Sequence, residues 1–168
     1  PGVAPEGRFY PDTYSYAKGA SDLAVLQRAM KAMDKQLQNA WDARQPGAAL
    51  QSPEQALILA SIVEKETGKA QDRAQISGVF NNRLRIGMRL QTDPTVIYGL
   101  GEAFDGDLRR VHLTTDTPWN TYTRGGLPPT PIAMPGKAAL LAAVQPAKTS
   151  AIYFVAKGDG SSHFSATL

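Results

Sequence analysis

The chain has 168 residues, of which 42% are hydrophobic and 20% are charged, a balance typical of a globular protein. Its length predicts one domain, residues 1–168, and the lack of cysteine excludes disulfides and cysteine metal sites. A net charge of +3 suits an anionic polymer as partner. The sequence has no dense run of basic residues interleaved with aromatics, so it gives no indication of nucleic-acid binding. No apolar stretch approaches the ~20 residues of a membrane span.

Residues 1–20, rich in Pro, Gly and Tyr, predict an extended leading segment with turns. A long helix follows, capped by Ser21, and its apolar residues recur three or four positions apart. This periodicity predicts a scaffold helix whose buried face is formed by Leu23, Leu26, Met30, Met33, Leu37 and Trp41.

The second predicted helix contains the most informative stretch of the chain, LILASIVEKETG, residues 57–68. Ser52, Pro53 and Gln55 together form a signal for a helix start, with Ser52 as the N-cap. Between residues 56 and 63 only Ser61 is polar. A helix that is apolar all round is predicted to be buried.

Two glutamates stand at the end of this helix. Glu64 shares a helix face with Leu57 and Ala60, so its carboxyl is predicted to lie at the inner end of a core helix. Burial disfavours the charged form, and a carboxyl that stays protonated near neutral pH can act as a general acid. The alternative is a solvated glutamate near a helix terminus. Glu66 lies about 200° further around the helix and is predicted to face water or a loop.

A third helix is predicted from Asp72 to Arg85 or Ile86. After it, Asp93 is predicted to cap a short helix that begins at Pro94. The basic cluster in this region is either a solvated face or a site that attracts carboxylate or phosphate groups. It comprises Arg73, Arg83, Arg85 and Arg89.

A long irregular stretch, residues 117–132, mixes aromatics, amides, hydroxyls, glycines and prolines. A loop of this length in a compact domain is usually functional, and the prolines should stiffen it. Aromatic rings offer faces for stacking on sugars, and amides can bind hydroxyl and N-acetyl groups. The loop is therefore predicted to contact a carbohydrate, and the alternative is a structural lid.

The C-terminal part predicts a small-residue helix at 138–144 and a β-hairpin with strands at 152–156 and 163–165. The predicted fold class is α+β, mainly helical with a small β-hairpin. The sequence contains no P-loop, Rossmann glycine pattern, HExxH or GxSxG motif. His112 and His163 have no evident ligand neighbours in the sequence, so neither a metal site nor a cofactor is predicted.

Three long segments resemble the YceG/MltG family of endolytic murein transglycosylases. They are LASIVEKET at 59–67, NNRLRIGMRLQTDPTVIYGLG at 81–101 and WNTYTRGGLPPTPIAMPG at 119–136. Shorter similarities lie near both ends, so the resemblance covers nearly the whole chain. It implies a lysozyme/transglycosylase-like catalytic domain with its catalytic Glu on a buried helix. Family members also carry an N-terminal membrane span and a LysM-like region, so the resemblance implies a full-length protein anchored at the periplasmic face of the bacterial inner membrane.

The resemblance further implies a reaction. Family members cleave the β-1,4 bond between N-acetylmuramic acid and N-acetylglucosamine inside nascent peptidoglycan strands. This leaves 1,6-anhydro ends and terminates polymerisation alongside cell-wall synthases, without a cofactor. The family's catalytic glutamate corresponds to Glu64. The motif positions assigned to the substrate cleft are Gln91, Asp93, Tyr98, Asn120 and Tyr122.

One carboxyl suffices for this chemistry. Protonated Glu64 would donate to the bridging oxygen and then take a proton from the C6 hydroxyl of the same muramic residue, which attacks C1. If Asp93 lay across from Glu64 rather than serving as a helix cap, a two-carboxylate hydrolysis would be possible, so a muramidase is the second hypothesis. The non-enzymatic alternative is a peptidoglycan-binding module of the cell-wall synthesis machinery, with Glu64 structural.

Overall fold

The computed structural model describes residues 5–168, which form a mainly helical domain with one small antiparallel sheet. This confirms the α+β prediction. The helices are α1 (Asp22–Asp42), α2 (Pro53–Glu66), α3 (Ala70–Arg85), α4 (Asp93–Leu100), α5 (Arg110–Thr114) and α6 (Lys137–Val144), with a 3-10 turn at Gly101–Ala103. The strands are β1 (Tyr153–Ala156) and β2 (Ser162–Ser165). Of the helices within residues 5–168, none combines the length and apolarity that crossing a membrane requires.

Helix α2 is the centre of the fold. It packs against α1, α3, α4 and α6, and the residues from Ala56 to Val63 are no more than 6% exposed. Burying each large apolar side chain contributes about 1.5–3 kcal/mol. The predicted start is confirmed, because the Ser52 hydroxyl accepts a hydrogen bond of 3.2 Å from the Gln55 N–H. The sequence signals and the burial therefore agree on this element.

Helix α1 covers α2 with only part of its predicted apolar face. Met33 and Leu37 are buried as predicted, but Leu23, Leu26 and Met30 are exposed, Leu23 by 63%. With 21 residues against 14 and ~1.5 Å of rise per residue, α1 is longer than the helix it covers. The apolar side chains of its N-terminal turns consequently stay exposed in the described part of the chain. The prediction that this half of the face is buried is therefore wrong.

The described part of the leading segment, residues 5–20, contains turns and bends but neither helix nor strand, as predicted. Residues 1–4 of that segment lie outside the described residues. The Arg8 guanidinium reaches both carboxylate oxygens of Glu54 at 2.7 Å, in the first turn of α2. The Tyr10 N–H donates to the Ala29 carbonyl at 3.1 Å. These contacts hold the segment against α1 and α2.

The β-hairpin packs on α3. The Asn82 amide donates to the carbonyls of Thr149 and Ala151 at 2.8 and 2.9 Å, and the Phe80 ring meets the edge of Phe154 at 5.7 Å between centroids. Asp72 was predicted to open α3, but the helix begins at Ala70. Its carboxylate instead accepts a 3.1 Å hydrogen bond from the Ser162 N–H. Asp72 thereby anchors the hairpin.

The predicted basic cluster is not a single surface. Arg83 is only 6% exposed, and its Nε donates to the Ile152 carbonyl at 2.8 Å, while another guanidinium nitrogen donates to the Leu90 carbonyl. Arg85 and Arg89 are exposed. Arg83 therefore belongs to the interior, where it joins the end of α3 to the hairpin.

Candidate active site

The segment between α3 and α4 is bonded directly to the long loop of residues 117–132. The Gln91 N–H donates to the Thr121 carbonyl and the Thr92 N–H to the Thr121 hydroxyl, both at 3.1 Å. The Thr121 hydroxyl also lies 2.8 Å from that of Thr95, in the first turn of α4. Thr92, Thr95 and Thr121 are buried. The segment between α3 and α4 and the loop of residues 117–132, both predicted to line the cleft, are thus joined by hydrogen bonds into one framework.

Gln91 stands at a sharp turn of this framework. Its φ of +50° makes it the one non-glycine residue with positive φ in the described part of the chain. Such conformations cost energy and persist where the surrounding structure fixes them, often at functional sites. The side chain of Gln91 is exposed. The turn therefore presents an amide at the surface next to α4.

Asp93 does not cap α4. The N-cap is Thr92, and Asp93 is the first residue of the helix. Its carboxylate accepts a 2.5 Å hydrogen bond from the Tyr122 hydroxyl. Burial, and then this bond to Asp93, raise the pKa of Tyr122, so that the phenol stays a donor. The structure thus brings two predicted cleft residues, Asp93 and Tyr122, together. It also corrects the prediction that Asp93 is the N-cap of α4.

Glu66 lies on the same side of the domain. It is half-buried, and its carboxyl accepts a hydrogen bond from the Thr92 hydroxyl. Burial raises the pKa of Glu66 and the negative charge of Asp93 raises it further, while the Thr92 bond and the positive charge of Arg83 oppose them. The sequence predicted that Glu66 faces water or a loop. It does face the segment before α4, but its burial was missed.

Glu64 occupies a different environment. It is half-buried, and its Oε1 accepts a 3.0 Å hydrogen bond from the N–H of Gly136, the N-cap of α6. No hydrogen bond in the described structure joins it to Asp93 or Tyr122. The two glutamates at the end of α2 therefore face different neighbours: Glu64 the start of α6, and Glu66 the start of α4.

Tyr98 lines a cavity between the last turn of α2 and helix α4. Its ring packs on Trp119 with 5.6 Å between centroids and a tilt of 59°. The cavity has a volume of about 300 Å³ and is bounded by Lys65, Pro94, Ile97, Tyr98 and Ile132. Tyr98 is half-buried and so keeps part of its surface accessible, as a ligand contact requires.

Asn120 is placed differently from its prediction. It is 0% exposed, so the predicted direct contact with substrate has no accessible side chain in this structure. Its amide donates to three carbonyls at the C-terminal end of α5, and its Oδ1 accepts from the Tyr122 N–H at 2.8 Å. The accepting carbonyls are those of His112, Leu113 and Thr115. Asn120 holds the loop and positions Tyr122.

The arrangement combines a carboxyl whose pKa is raised, Glu66, with a second and exposed carboxyl, Asp93. A protonated acid beside a second carboxyl is a recurring arrangement for cleaving glycosidic bonds. Within residues 5–168, His, Asp and Glu side chains form no group of three or more suited to hold a metal ion.

Comparison with known proteins gives consistent results. The sequence profile of the YceG-like family matches residues 3–168. An endolytic murein transglycosylase of Bacillus subtilis is 37% identical over 163 residues, covering 97% of this chain and 45% of the relative. One from Streptococcus pneumoniae is 31% identical over 156 residues, covering 90% and 28%. The chain thus spans less than half the length of these curated relatives.

A solved structure agrees with the fold. The crystal structure of a yceG-like protein from Listeria monocytogenes superposes with a TM-score of 0.83 at 38% sequence identity. The match covers 98% of this chain and 52% of that chain.

Proposed function

The chain belongs to the YceG-like family, and on that premise we propose that it is the catalytic domain of an endolytic murein transglycosylase. Its substrate would be the glycan strand of peptidoglycan. The bond cleaved would be the β-1,4 bond from N-acetylmuramic acid to N-acetylglucosamine, leaving a 1,6-anhydro end. The observation that carries the proposal is Glu66, a half-buried carboxyl of raised pKa, bonded to Thr92 and close to the charge of Asp93.

The reaction needs a carboxyl that acts first as acid and then as base. In its protonated form it donates to the bridging oxygen as the bond from that oxygen to C1 of the muramic residue breaks. As a carboxylate it then takes the proton of the C6 hydroxyl, whose oxygen attacks C1 and closes the anhydro ring. No water is consumed, because the nucleophile belongs to the same sugar.

Two glutamates can take this role. The family resemblance assigns it to Glu64, and that assignment stays a prediction. Glu66 is favoured physically, because burial raises its pKa and it lies beside the segments that carry Gln91 and Tyr122. We therefore propose Glu66 as the acid–base residue and Glu64, bound to the N–H of Gly136, as a support of the loop before α6.

The positive charge that develops at C1 needs stabilisation by groups fixed in advance. The Asp93 carboxylate is exposed and is held by the Tyr122 hydroxyl. It can therefore face the sugar without reorganising. In this scheme the exposed amide of Gln91 hydrogen-bonds to a sugar, and the Tyr98 ring contacts the substrate from the cavity that it lines.

A muramidase is the second candidate, and Asp93 is the observation that favours it. A retaining or inverting glycosidase needs two carboxyls, and the exposed Asp93 is near enough for its charge to raise the pKa of Glu66. In that case Asp93 would activate a water or attack C1, and the product would carry a reducing muramic end.

The finer features of the proposal rest on the family resemblance. They are a lysozyme-like placement of the catalytic carboxyl, action on nascent strands that terminates their polymerisation, and association with cell-wall synthases. They also include a full-length protein anchored at the periplasmic face of the inner membrane. Within the chain, the mildly basic charge of +3 is consistent with an anionic polymer as substrate.

Mass spectrometry of the product ends tests the proposal. Intact glycan strands are digested with the domain, and a Glu64→Gln/Glu66→Gln double variant provides the blank. Internal cuts with anhydro ends, lighter than reducing ends by one water, are expected. Predominantly reducing muramic ends would assign the muramidase, and strands left intact would contradict both enzymatic functions.

A further inference from the structure

The cavity between the last turn of α2 and helix α4 has a composition that the glycan backbone does not explain. It measures about 300 Å³ and is bounded by Lys65, Pro94, Ile97, Tyr98 and Ile132. Lys65 stands between Glu64 and Glu66 at the end of α2, and Pro94 directly follows Asp93. The cavity is therefore bounded by direct chain neighbours of the residues proposed to cleave the bond.

Lys65 supplies the cavity with a free positive charge. Its side chain is exposed, and within the described residues it lies in no ion pair of 4.0 Å or less. The carboxylates next to it in sequence are engaged elsewhere, Glu64 by the Gly136 N–H and Glu66 by the Thr92 hydroxyl. The ammonium group is thus available to an anionic ligand.

The remaining walls are apolar and fixed. Ile97 and Tyr98 both line the cavity from α4, and Tyr98 is backed by Trp119. Ile132 is buried, and its N–H donates to the Ser61 hydroxyl at 3.0 Å, which ties the end of the loop to α2. An apolar ligand group can enter such a cavity without reorganising it.

This lining fits alkyl groups and a carboxylate better than a sugar. A pyranose presents hydroxyls around its rim and needs several donors and acceptors, whereas the lining side chains offer one ammonium and one phenol. In peptidoglycan, the muramic residue alone carries a lactyl ether that is extended by a stem peptide. That substituent combines methyl groups with carboxylates.

We propose that this cavity binds the lactyl-linked stem peptide of the muramic residue, with Lys65 pairing a peptide carboxylate and Ile97 and Ile132 contacting the methyl groups. This inference rests on the proposed function and extends it from cleavage to substrate choice. It makes the enzyme selective for strands that still carry their peptides, and Lys65 a determinant of that selectivity.

Paired substrates test the proposal. Glycan strands of matched length are prepared with their stem peptides and after enzymatic removal of the peptides, and kcat/KM is measured on both. Wild type should prefer the peptide-bearing strands. Lys65→Met keeps the length of the side chain and removes its charge, so it should lose about fivefold on peptide-bearing strands, the scale of one solvent-accessible ion pair. On stripped strands it should match wild type.

Lys35→Met is the matched control, because Lys35 is exposed on α1 and does not line the cavity. It removes the same charge from the domain and should leave both substrates unaffected. Equal kcat/KM of wild type on the two substrates would overturn the proposal. So would an equal loss by Lys65→Met on both, which would place Lys65 in glycan binding.

A binding measurement separates this inference from the proposed function. N-acetylmuramoyl dipeptide is titrated into the domain, and the methyl resonances of Ile97 and Ile132 are followed by NMR. Ligand-induced shifts of these methyl resonances that are smaller in Lys65→Met than in wild type would support peptide binding in the cavity, even if no strand is cleaved. Methyls that stay unmoved at saturating ligand would reject it even if cleavage is confirmed.

Discussion

The Tyr122 hydroxyl donates a 2.5 Å hydrogen bond to the Asp93 carboxylate, joining the long loop to the first turn of α4. The backbone of Tyr122 is held as well, because its carbonyl accepts from the Arg89 guanidinium at 3.0 Å. Asp93 is thus fixed by a residue that is itself fixed. Its negative charge is one of the causes that raise the pKa of Glu66. The position of the loop and the protonation of Glu66 are therefore physically coupled.

This coupling predicts the pH profile of Asp93→Asn. Asparagine can still accept the Tyr122 hydroxyl but carries no charge, so the pKa of Glu66 should fall. In the proposed reaction, Glu66 must be protonated at the start. The alkaline limb of the pH–rate profile should therefore move to lower pH. The melting temperature should change little, because asparagine keeps an acceptor for the Tyr122 hydroxyl.

The control for this prediction is Asp107→Asn, which removes one exposed carboxylate from the segment before α5. It should leave the profile unchanged. An alkaline limb that stays in place in Asp93→Asn would contradict the coupling. A collapse of turnover at every pH with unchanged melting would show that the Asp93 carboxylate acts directly on the sugar, and the product ends would then decide between charge stabilisation at C1 and the muramidase.

The raised pKa of Glu66 also predicts a pH-dependent stability. A carboxyl whose folded pKa lies above its unfolded value of about 4.3 contributes stability below the unfolded pKa. That contribution is lost as the pH rises through the folded pKa. Glu66→Gln keeps an oxygen for the Thr92 hydroxyl without the charge, so it should become progressively more stable than wild type as the pH rises.

Melting temperatures of wild type and Glu66→Gln between about pH 4 and about pH 8 measure this effect, since the range begins near the unfolded pKa. Glu102→Gln, an exposed position in the 3-10 turn, controls for the loss of one carboxylate. The melting temperature of Glu66→Gln should exceed that of wild type by an amount that grows as the pH rises. A gap independent of pH would show that burial does not disfavour the charge of Glu66.

Ser61 ties the core helix to the end of the loop, and its removal should destabilise the domain. Its hydroxyl donates to the Ile58 carbonyl at 2.6 Å and accepts from the Ile132 N–H at 3.0 Å, in a fully buried position. Ser61→Ala leaves that N–H buried without a partner, which costs about 1–3 kcal/mol. Urea unfolding measures the loss.

Ser77→Ala is the matched control within α3. Ser77 is equally buried, but the Asn81 amide that contacts its hydroxyl at 3.2 Å also donates to its carbonyl at 2.9 Å. Because that second bond survives, the loss should be smaller, about 1 kcal/mol or less. Equal losses in the two variants would show that the bond from Ser61 to the loop contributes nothing of its own.

The elements that the sequence predicted well are those governed by neighbours along the chain. The start of α2 depends on Ser52, Pro53 and Gln55, which act within one helical turn, and its burial follows from an uninterrupted apolar run. The hairpin strands are equally local. Where two neighbouring residues can both occupy an N-cap, as with Thr92 and Asp93, the pattern could not decide which one does.

The features that were missed depend on residues from other elements. Glu66 is buried against Thr92 from the segment before α4 and lies near Arg83 from α3, and neither neighbour can be inferred from helical spacing. Asn120 resembled a ligand-binding amide, but the C-terminal end of α5 leaves carbonyls that need donors, and the Asn120 side chain supplies them. The spacing of Leu23 and the other apolar residues of α1 predicted a buried face, but it could not show how much of that face α2 covers.

The two glutamates at the end of α2 give the most direct prediction. Glu66→Gln cannot donate a proton, and the loss of a general acid typically costs about 10²–10⁴-fold in rate. Glu64→Gln still offers an oxygen to the Gly136 N–H, so it should keep activity within about tenfold of wild type, a change of ~1.4 kcal/mol in the barrier. Both variants should fold, since each replaces a carboxyl by an amide of the same shape.

Single-turnover cleavage of intact glycan strands, with melting curves of both variants as the folding control, decides between the two residues. A loss confined to Glu66→Gln assigns the acid to the carboxyl that faces Thr92 and Asp93. A loss confined to Glu64→Gln would assign it to the carboxyl beside Gly136, as the family resemblance implies, and Glu66 would then be a structural acid. Because the two glutamates face different elements, the residue that proves essential also locates the glycan, against the start of α4 or against the start of α6.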